Sequence, residues 1–143
     1  MVADGLITLA SNFPVPQTID RLADAATTAG LRIFARLDHA AGASEVGLHL
    51  RPTQLLLFGH PRGGTPLMQD QQTAGIDLPF KALAWTDETG QTWLSYNDPD
   101  WIAERHGLGE ASASAVRAMS EGMGQLARTA ASADPAPWGP AHP

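Results

Sequence analysis

The chain has 143 residues, of which 17% are charged, and its formal net charge is -6 at pH 7. At roughly 150 residues per domain this length predicts one domain, and the absence of cysteine excludes a disulfide framework, a thiolate metal site and a cysteine nucleophile. The acidic balance argues against a nucleic-acid binder, no apolar run reaches the roughly 20 residues of a membrane span, and the first residues lack a secretory signal. We therefore expect a cytoplasmic protein with neither nucleic acid nor membrane as a partner.

Residues 1–108 switch between the periods of strands and helices, which predicts a single α+β domain. The expected strands are 5–10, 31–37, 53–59, 81–86 and 91–96, with the last two joined by a hairpin loop across which Trp85 and Trp93 pair. The expected order is β-α-β-(α)-β-(α)-β-β-α, in a mixed, largely antiparallel sheet.

Proline and capping signals mark the helices. Pro14 and Pro16 open a first helix, whose apolar stripe is Ile19, Leu22, Ala23 and Ala26. A turn or short helix is expected between Asp38 and Gly47. A hydroxyl or carboxylate cap followed by proline predicts further helices beginning at Thr65-Pro66 and at Asp98-Pro99, the second ending at Gly107.

The chain changes character after Leu108. Residues 109–131 are predicted to form a C-terminal helical extension with the apolar seam Val116, Met119, Met123, Leu126 and Ala130, which fits docking on its own chain better than a dimer contact. Gly122 and Gly124 each cost this helix about 1 kcal/mol, so it is not expected to be stable alone. Residues 132–143 are rich in proline and are expected to be a disordered tail.

Five short motifs occur together: FARLDHAA at 34–41, LLFGHP at 56–61, GTPLM at 64–68, GIDLP at 75–79 and SYNDP at 95–99. Through them residues 5–106 resemble the bacterial and archaeal family called domain of unknown function 302. The resemblance implies a small α+β fold with helices on one face of the sheet, like the TATA-box-binding protein, and a homodimer. It implies no established reaction. His60 departs from the family, which usually has Asn after Phe-Gly.

The main candidate site is the glycine-rich stretch between the third strand and the Thr65-Pro66 helix start. Free N–H groups and the helix dipole there could hold an anion, with Arg62 as its counter-ion. The candidate ligand-binding residues are Gly59, His60, Arg62, Gly63, Gly64 and Thr65. The stretch matches neither the Walker A loop nor the dinucleotide fingerprint. The alternative is an ordinary turn whose glycines only supply positive φ.

Other polar residues are weaker candidates. Asp38 and His39 end a predicted strand, where His39 could be a general base or a ligand contact, although capping of the following turn is the favoured interpretation. Asp77 lies between apolar residues and needs a partner if buried, with Arg62 or Lys81 available. Asp98 is first a helix cap and only second an acid. The histidines lack metal-ligand spacing, so no metal ion is predicted, and any cofactor is unknown.

The leading hypothesis is a homodimer that binds a small anionic molecule at the 59–66 loop. The first alternative is an enzyme in which His39 is the acid–base residue, with Asp77 or Asp98 beside it. The second is a structural or interaction module whose contact surface is the 109–131 seam.

Overall fold

The computed structural model describes residues 4–132, which build an α+β fold on one five-stranded sheet. The strands are β1 (Leu6–Ser11), β2 (Arg32–Asp38), β3 (Thr53–Gly59), β4 (Phe80–Thr86) and β5 (Thr92–Asn97), in the order β1-β5-β4-β3-β2. The predicted α+β class is confirmed. Every neighbouring pair in this part of the chain is antiparallel, so the sheet is not mixed. The reason is that β1 and β2, although joined by a helix, lie at opposite edges.

Five α-helices connect or follow the strands within the described residues. They are α1 (Val15–Thr28), α2 (His39–Glu45), α3 (Pro61–Asp70), α4 (Pro99–His106) and α5 (Ala113–Ala131), with short 3-10 turns at Gln72–Asp77 and Glu110–Ser112. The cap signal at Asp98 is confirmed, since its carboxylate accepts the Asp100 N–H at 2.9 Å. Gly107 ends α4 at φ 65°, the left-handed conformation that glycine adopts without strain.

The core lies between one face of the sheet and two long helices. From α1 the core receives Val15, Ile19, Leu22 and Ala26, which confirms the predicted helical stripe. Helix α5 adds Met123, Ala127 and Ala130. These side chains pack against alternate residues of the central strands, namely Leu56, Phe58, Phe80, Ala82, Leu94 and Tyr96.

The C-terminal helix is tied to the body by polar as well as apolar contacts. Arg21 on α1 donates from Nε to the Ala130 carbonyl at 3.1 Å and from Nη2 to the carbonyls of Thr129 and Ser132 at 2.8 and 2.9 Å. The Asn12 N–H donates to the Ala131 carbonyl at 2.8 Å. Helix α5 therefore shares the core of residues 1–108, and its seam faces its own chain. The proline-rich stretch beyond Ser132 lies outside the described residues.

The opposite face of the sheet is largely open. Its side chains include the cross-strand row Leu37–Leu55–Leu83, in which Leu37 remains 45% exposed. Trp85 and Trp93 stack across the β4–β5 hairpin with ring centroids 6.3 Å apart, as predicted. At one end of this face α2 and the loop after it line a depression together with Leu37 and Leu83. Helices α1 and α5 thus cover one face, as the resemblance implied.

A single carboxylate organises the β4–β5 hairpin loop. Asp87 accepts hydrogen bonds from the Trp93 indole N–H at 2.8 Å, from the Thr89 hydroxyl at 2.7 Å, and from the Thr89 and Gln91 N–H groups. The bond from Trp93, followed by those from Thr89, lowers the pKa of Asp87 to about 2. The carboxylate therefore stays ionised, and the loop keeps these contacts, throughout the neutral pH range.

Candidate functional site

The stretch expected to be a glycine-rich loop is helical from Pro61 onward. Pro61 takes the first helical position, where its fixed φ suits the helix and its missing N–H leaves nothing unsatisfied. Pro66 consequently lies inside α3, and the signal at Thr65-Pro66 does not mark the helix start. The predicted boundary is wrong because two proline signals occur within one segment, and the earlier one begins the helix.

The backbone amides of this segment already have partners. His60 caps α3, because its Nδ1 accepts the Arg62 N–H at 3.1 Å. Its carbonyl accepts the N–H groups of Gly63 and Gly64 at 3.0 and 3.2 Å. The two prolines of the segment have no N–H to offer. The predicted cradle of free amides for an anion is therefore wrong, since these donors are used within the helix.

A large groove nevertheless opens beside α3. Its volume is about 1610 Å³, and it is bounded by α1, α3 and α5, with the ends of β3 and β4 as its floor. Apolar side chains dominate the lining, among them Phe58, Met68, Leu78, Met119, Met123 and Leu126. The structure brings six predicted site residues to this groove: Gly59, His60, Arg62, Gly63, Gly64 and Thr65.

The polar and charged side chains that line the groove are Arg21, Asp24, Thr28, His60, Arg62, Thr65, Gln125 and Thr129. The Arg62 guanidinium is exposed and makes no hydrogen bond or ion pair within residues 4–132. Since His60 Nδ1 accepts a hydrogen bond, the neutral ring carries its proton on Nε2, which is a donor. Of the other charged lining residues, Arg21 already caps α5, and Asp24 is an exposed carboxylate.

His39 lies far from the groove. Asp38 pairs with Gln54 in the sheet, whereas Gly59 pairs with Arg32. His39 and His60 therefore lie at opposite ends of the paired strands β2 and β3. At about 3.4 Å per residue the separation is roughly 20 Å. The Asp38 carboxylate caps α2 by accepting the Ala41 N–H at 2.9 Å, and His39 borders only a shallow depression with Val46 and Leu83.

The positions of the residues do not support the enzyme alternative. The residues expected beside His39 were Asp77 and Asp98, which precede β4 and follow β5 respectively. By the sheet register both lie at the end of the sheet where α3 begins, opposite His39. Side chains separated by the length of a strand cannot share a proton-transfer step. The structure does not bring these three residues together.

Asp77 is buried and has partners that the sequence did not suggest. Arg105 Nη1 donates to its two carboxylate oxygens at 3.0 and 3.2 Å, and His106 Nε2 lies 2.6 Å from Oδ2. His106 Nδ1 in turn contacts the Thr73 hydroxyl at 3.0 Å. The expected partners, Arg62 and Lys81, do not pair with the carboxylate, although Lys81 Nζ lies 3.5 Å from the Asp77 backbone carbonyl.

These contacts fasten the 3-10 turn Gln72–Asp77 to the last turn of α4. Gly75 and Leu78, within or beside that turn, line the groove, but Asp77 itself does not. The role of Asp77 is thus to position a wall of the groove. The available signal in the sequence was the basic pair Arg105-His106 at the end of a predicted helix, but nothing local connects it with position 77.

Within residues 4–132, no three His, Cys, Asp or Glu side chains converge as a metal site would require. No helix in the same range combines the length and the apolar character needed to cross a bilayer.

Comparisons with known proteins give a family and a fold. The family model described as domain of unknown function DUF302 matches residues 7–126. The crystal structure of an uncharacterized conserved DUF302 protein from Bacillus stearothermophilus superposes with a TM-score of 0.79, covering 90% of this chain and 99% of that one at 16% identity. The match extends into α5, beyond the region of the motifs.

Curated relatives that match this chain are named as ion channels. The chain is 49% identical over 131 residues to the fluoride-specific ion channel FluC 1 of Brucella suis biovar 1, covering 92% of this chain and 52% of the relative. FluC 1 of Brucella abortus biovar 1 matches equally well, over 48% of its length. The chain therefore spans about half the length of the curated relatives it matches.

The coupling free energy of Asp77 with His106 is expected to exceed that of Asp77 with Arg105. The side chains of Asp77 and His106 are 10% and 6% exposed, whereas that of Arg105 is 49% exposed. Double-mutant cycles with alanine should give a coupling of about 2 kcal/mol for Asp77 with His106, and below about 1 kcal/mol for Asp77 with Arg105. Urea unfolding of the single and double variants measures both. Equal couplings would contradict the dominance of the buried contact.

Proposed function

We propose, from the premise that this chain belongs to the DUF302 family, that it binds a small molecule in the groove beside α3. The observation that supports this is an apolar groove of about 1610 Å³ with an unpaired arginine at its edge. Concave, mainly apolar sites with a few directed polar groups are typical of ligand pockets. The ligand has an apolar part, which the groove covers, and an anionic group, which Arg62 contacts.

Arg62, and not the backbone amides, supports the choice of an anionic ligand. The whole chain carries 15 acidic and 9 basic residues, yet the charged residues that line the groove are Arg21, Arg62 and Asp24. Because Arg21 is held at the end of α5, Arg62 is the cation that remains available to a ligand. A hydrogen bond from a guanidinium to a charged group contributes about 1.5–3 kcal/mol. The Nε2–H of His60 adds a second donor.

A thermal-shift screen with carboxylates and phosphorylated metabolites tests this function. Gly122 lines the groove, and a Cβ added there meets nothing within 4 Å, so Gly122→Phe adds an aromatic side chain to the lining from an open position. We expect hits to raise Tm, and Gly122→Phe to abolish the shift. Gly124→Phe is the control on the same helix outside the groove, where the added Cβ meets the flexible end of Arg128, with Nη1 at 3.1 Å. Hits that stabilise both variants alike, or an empty screen, would contradict the proposal.

We further propose that the protein is a homodimer whose subunits meet through the open face of the sheet. The Leu37–Leu55–Leu83 row is continued by Val46, which is 71% exposed and lines the same depression as Leu37 and Leu83. Leu48 and Leu50, on the same loop, are 67% and 44% exposed. A contiguous apolar patch of this kind is rare on a monomer and supports an interface with a second copy.

Charge in the patch should separate the subunits. Leu37→Lys places a cation in the row at a position that is already half exposed, so the fold tolerates it. We expect a concentration-dependent shift from dimer to monomer in sedimentation velocity. Ile76→Lys is the control, because Ile76 is 72% exposed on the 3-10 turn, away from this face. A Leu37→Lys protein that sediments like the unchanged protein would remove the open face as the interface.

A second candidate function is suggested by the half-length match to proteins named fluoride-specific ion channels. Residues 4–132 of this chain include no helix that could cross a bilayer. We therefore assign the channel activity of those relatives to the half that this chain does not match. We infer that this chain acts as a companion domain of such a channel.

Binding to the unmatched half tests the companion role. We expect this chain to bind the unmatched half of the Brucella suis relative in lipid nanodiscs, measured by biolayer interferometry. The full-length relative should bind it more weakly, because its own matched half competes at high effective concentration. Failure to bind either protein would contradict the companion role and would leave the groove proposal untouched.

A further inference from the structure

We infer that the ligand is an amphiphile: an unbranched acyl chain lies along the groove, and its carboxylate contacts Arg62. This inference rests on the proposed small-molecule function and specifies its ligand class. It depends on three features of the groove, which are its size, its mainly apolar lining and the position of its unpaired cation.

The size of the groove favours an extended apolar molecule. Ordinary small-molecule pockets measure about 300–1000 Å³, whereas this groove measures about 1610 Å³ and runs between three helices. Met68, Met119 and Met123, the methionines among residues 4–132, all line it. Methionine side chains are flexible and polarisable, and they adapt to apolar chains of varied shape.

The lining is mainly apolar. Its uncharged polar side chains, apart from His60, are Thr28, Thr65, Gln125 and Thr129, all of which are exposed, and within the described residues no buried side-chain nitrogen or oxygen lacks a hydrogen-bond partner. A nucleotide or sugar buried against the apolar part of the groove would lose hydrogen bonds to water. An alkyl chain has no such groups to satisfy, and its burial is favourable along its whole length.

The unpaired cation Arg62 lies at one part of the groove, whereas the α5 side contributes the uncharged polar side chains Gln125 and Thr129. Arg62 and His60 both belong to the start of α3, whereas Met123 and Leu126 line the groove from the later part of α5. The free Arg62 guanidinium and the His60 Nε2–H can contact one carboxylate together. Asp24, on the α1 side, disfavours a second anionic group. A single head group at one end of an apolar chain satisfies all of these constraints.

A series of single-chain probes separates the acyl chain from the head group. Octanoate, decanoate and dodecanoate, kept below their micelle concentrations, are titrated into the full chain by calorimetry. Each added methylene should tighten Kd by roughly three- to fourfold. Neutral dodecanol should bind more weakly than dodecanoate, and dodecyltrimethylammonium weaker still. Labelled methyl groups of Met68, Met119 and Met123 should shift in NMR spectra, which locates the probe in the groove.

Two variants assign the contacts. Arg62→Ala should weaken dodecanoate binding about tenfold and leave dodecanol unchanged, because only the carboxylate loses a partner. Arg117→Ala is the control, since Arg117 is an exposed arginine of α5 that does not line the groove. Gly122→Phe should abolish the binding of both probes, and Gly124→Phe should abolish neither.

The outcomes distinguish this inference from the function on which it rests. If another anion from the screen binds in a way that Gly122→Phe abolishes, but Kd does not depend on alkyl length, the acyl ligand is wrong and the groove function stands. If dodecanoate binds without moving the three methionine methyls, the acyl ligand is overturned. If, in addition, no anion from the screen binds in a way that Gly122→Phe abolishes, the groove function is overturned as well. If those methyls shift when the ligand-free protein is diluted, a second copy occupies the groove. If they shift when Trp138→Ala is introduced, the chain's own C-terminal segment occupies it. Either result overturns the acyl ligand.

Discussion

The docking of α5 onto α1 is the interaction on which the candidate site depends. Helix α5 contains Gly122 and Gly124, and a helix of this composition is not stable in isolation. Its folding therefore comes from burial of Met123, Ala127 and Ala130, and from Arg21, which contacts the carbonyls at its last turn. A cation at the carboxyl end of a helix also offsets the helix dipole. Without this docking the groove would lose one of its three walls.

The facing wall is held by a different kind of contact. The turn Gln72–Asp77 packs on α3 through Ala74, which clusters with Leu67, and Asp77 also fixes it to α4 through Arg105 and His106. An unpaired carboxylate buried to this degree would be costly, so the contact specifies one position for the turn. One wall is thus set by Asp77, which lies outside the groove, and the other by Arg21, which also lines it. The rest of the lining is mainly apolar.

Local patterns in the sequence were sufficient for the strands, the hairpin and the stripe of α1, because each depends on period and turn chemistry within a few residues. They failed at α3, where Pro61 and Thr65-Pro66 both indicate a helix start and only packing decides between them. They also failed for Asp77, whose partners lie 28 and 29 positions further along the chain. The groove was missed for the same reason. Its walls come from α1, α3 and α5, and no local pattern shows that these helices diverge.

The two proposed binding surfaces lie on different sides of the sheet, and this bears on how they affect each other. The groove lies among the helices that cover one face, whereas the Leu37–Leu55–Leu83 row belongs to the other. A second subunit on the open face would leave the groove accessible.

The groove reaches the sheet near the end of the paired strands β2 and β3, where its lining includes Phe34 of β2 and Leu57 of β3. Phe34 is also the extra residue of a bulge in β2, where the register with β3 shifts between Ile33 and Ala35. A bulge breaks the ladder locally and lets one side chain turn independently of its neighbours. A ligand in the groove would contact Phe34 at this bulge, which is the irregularity that the described pairing of β2 with β3 contains.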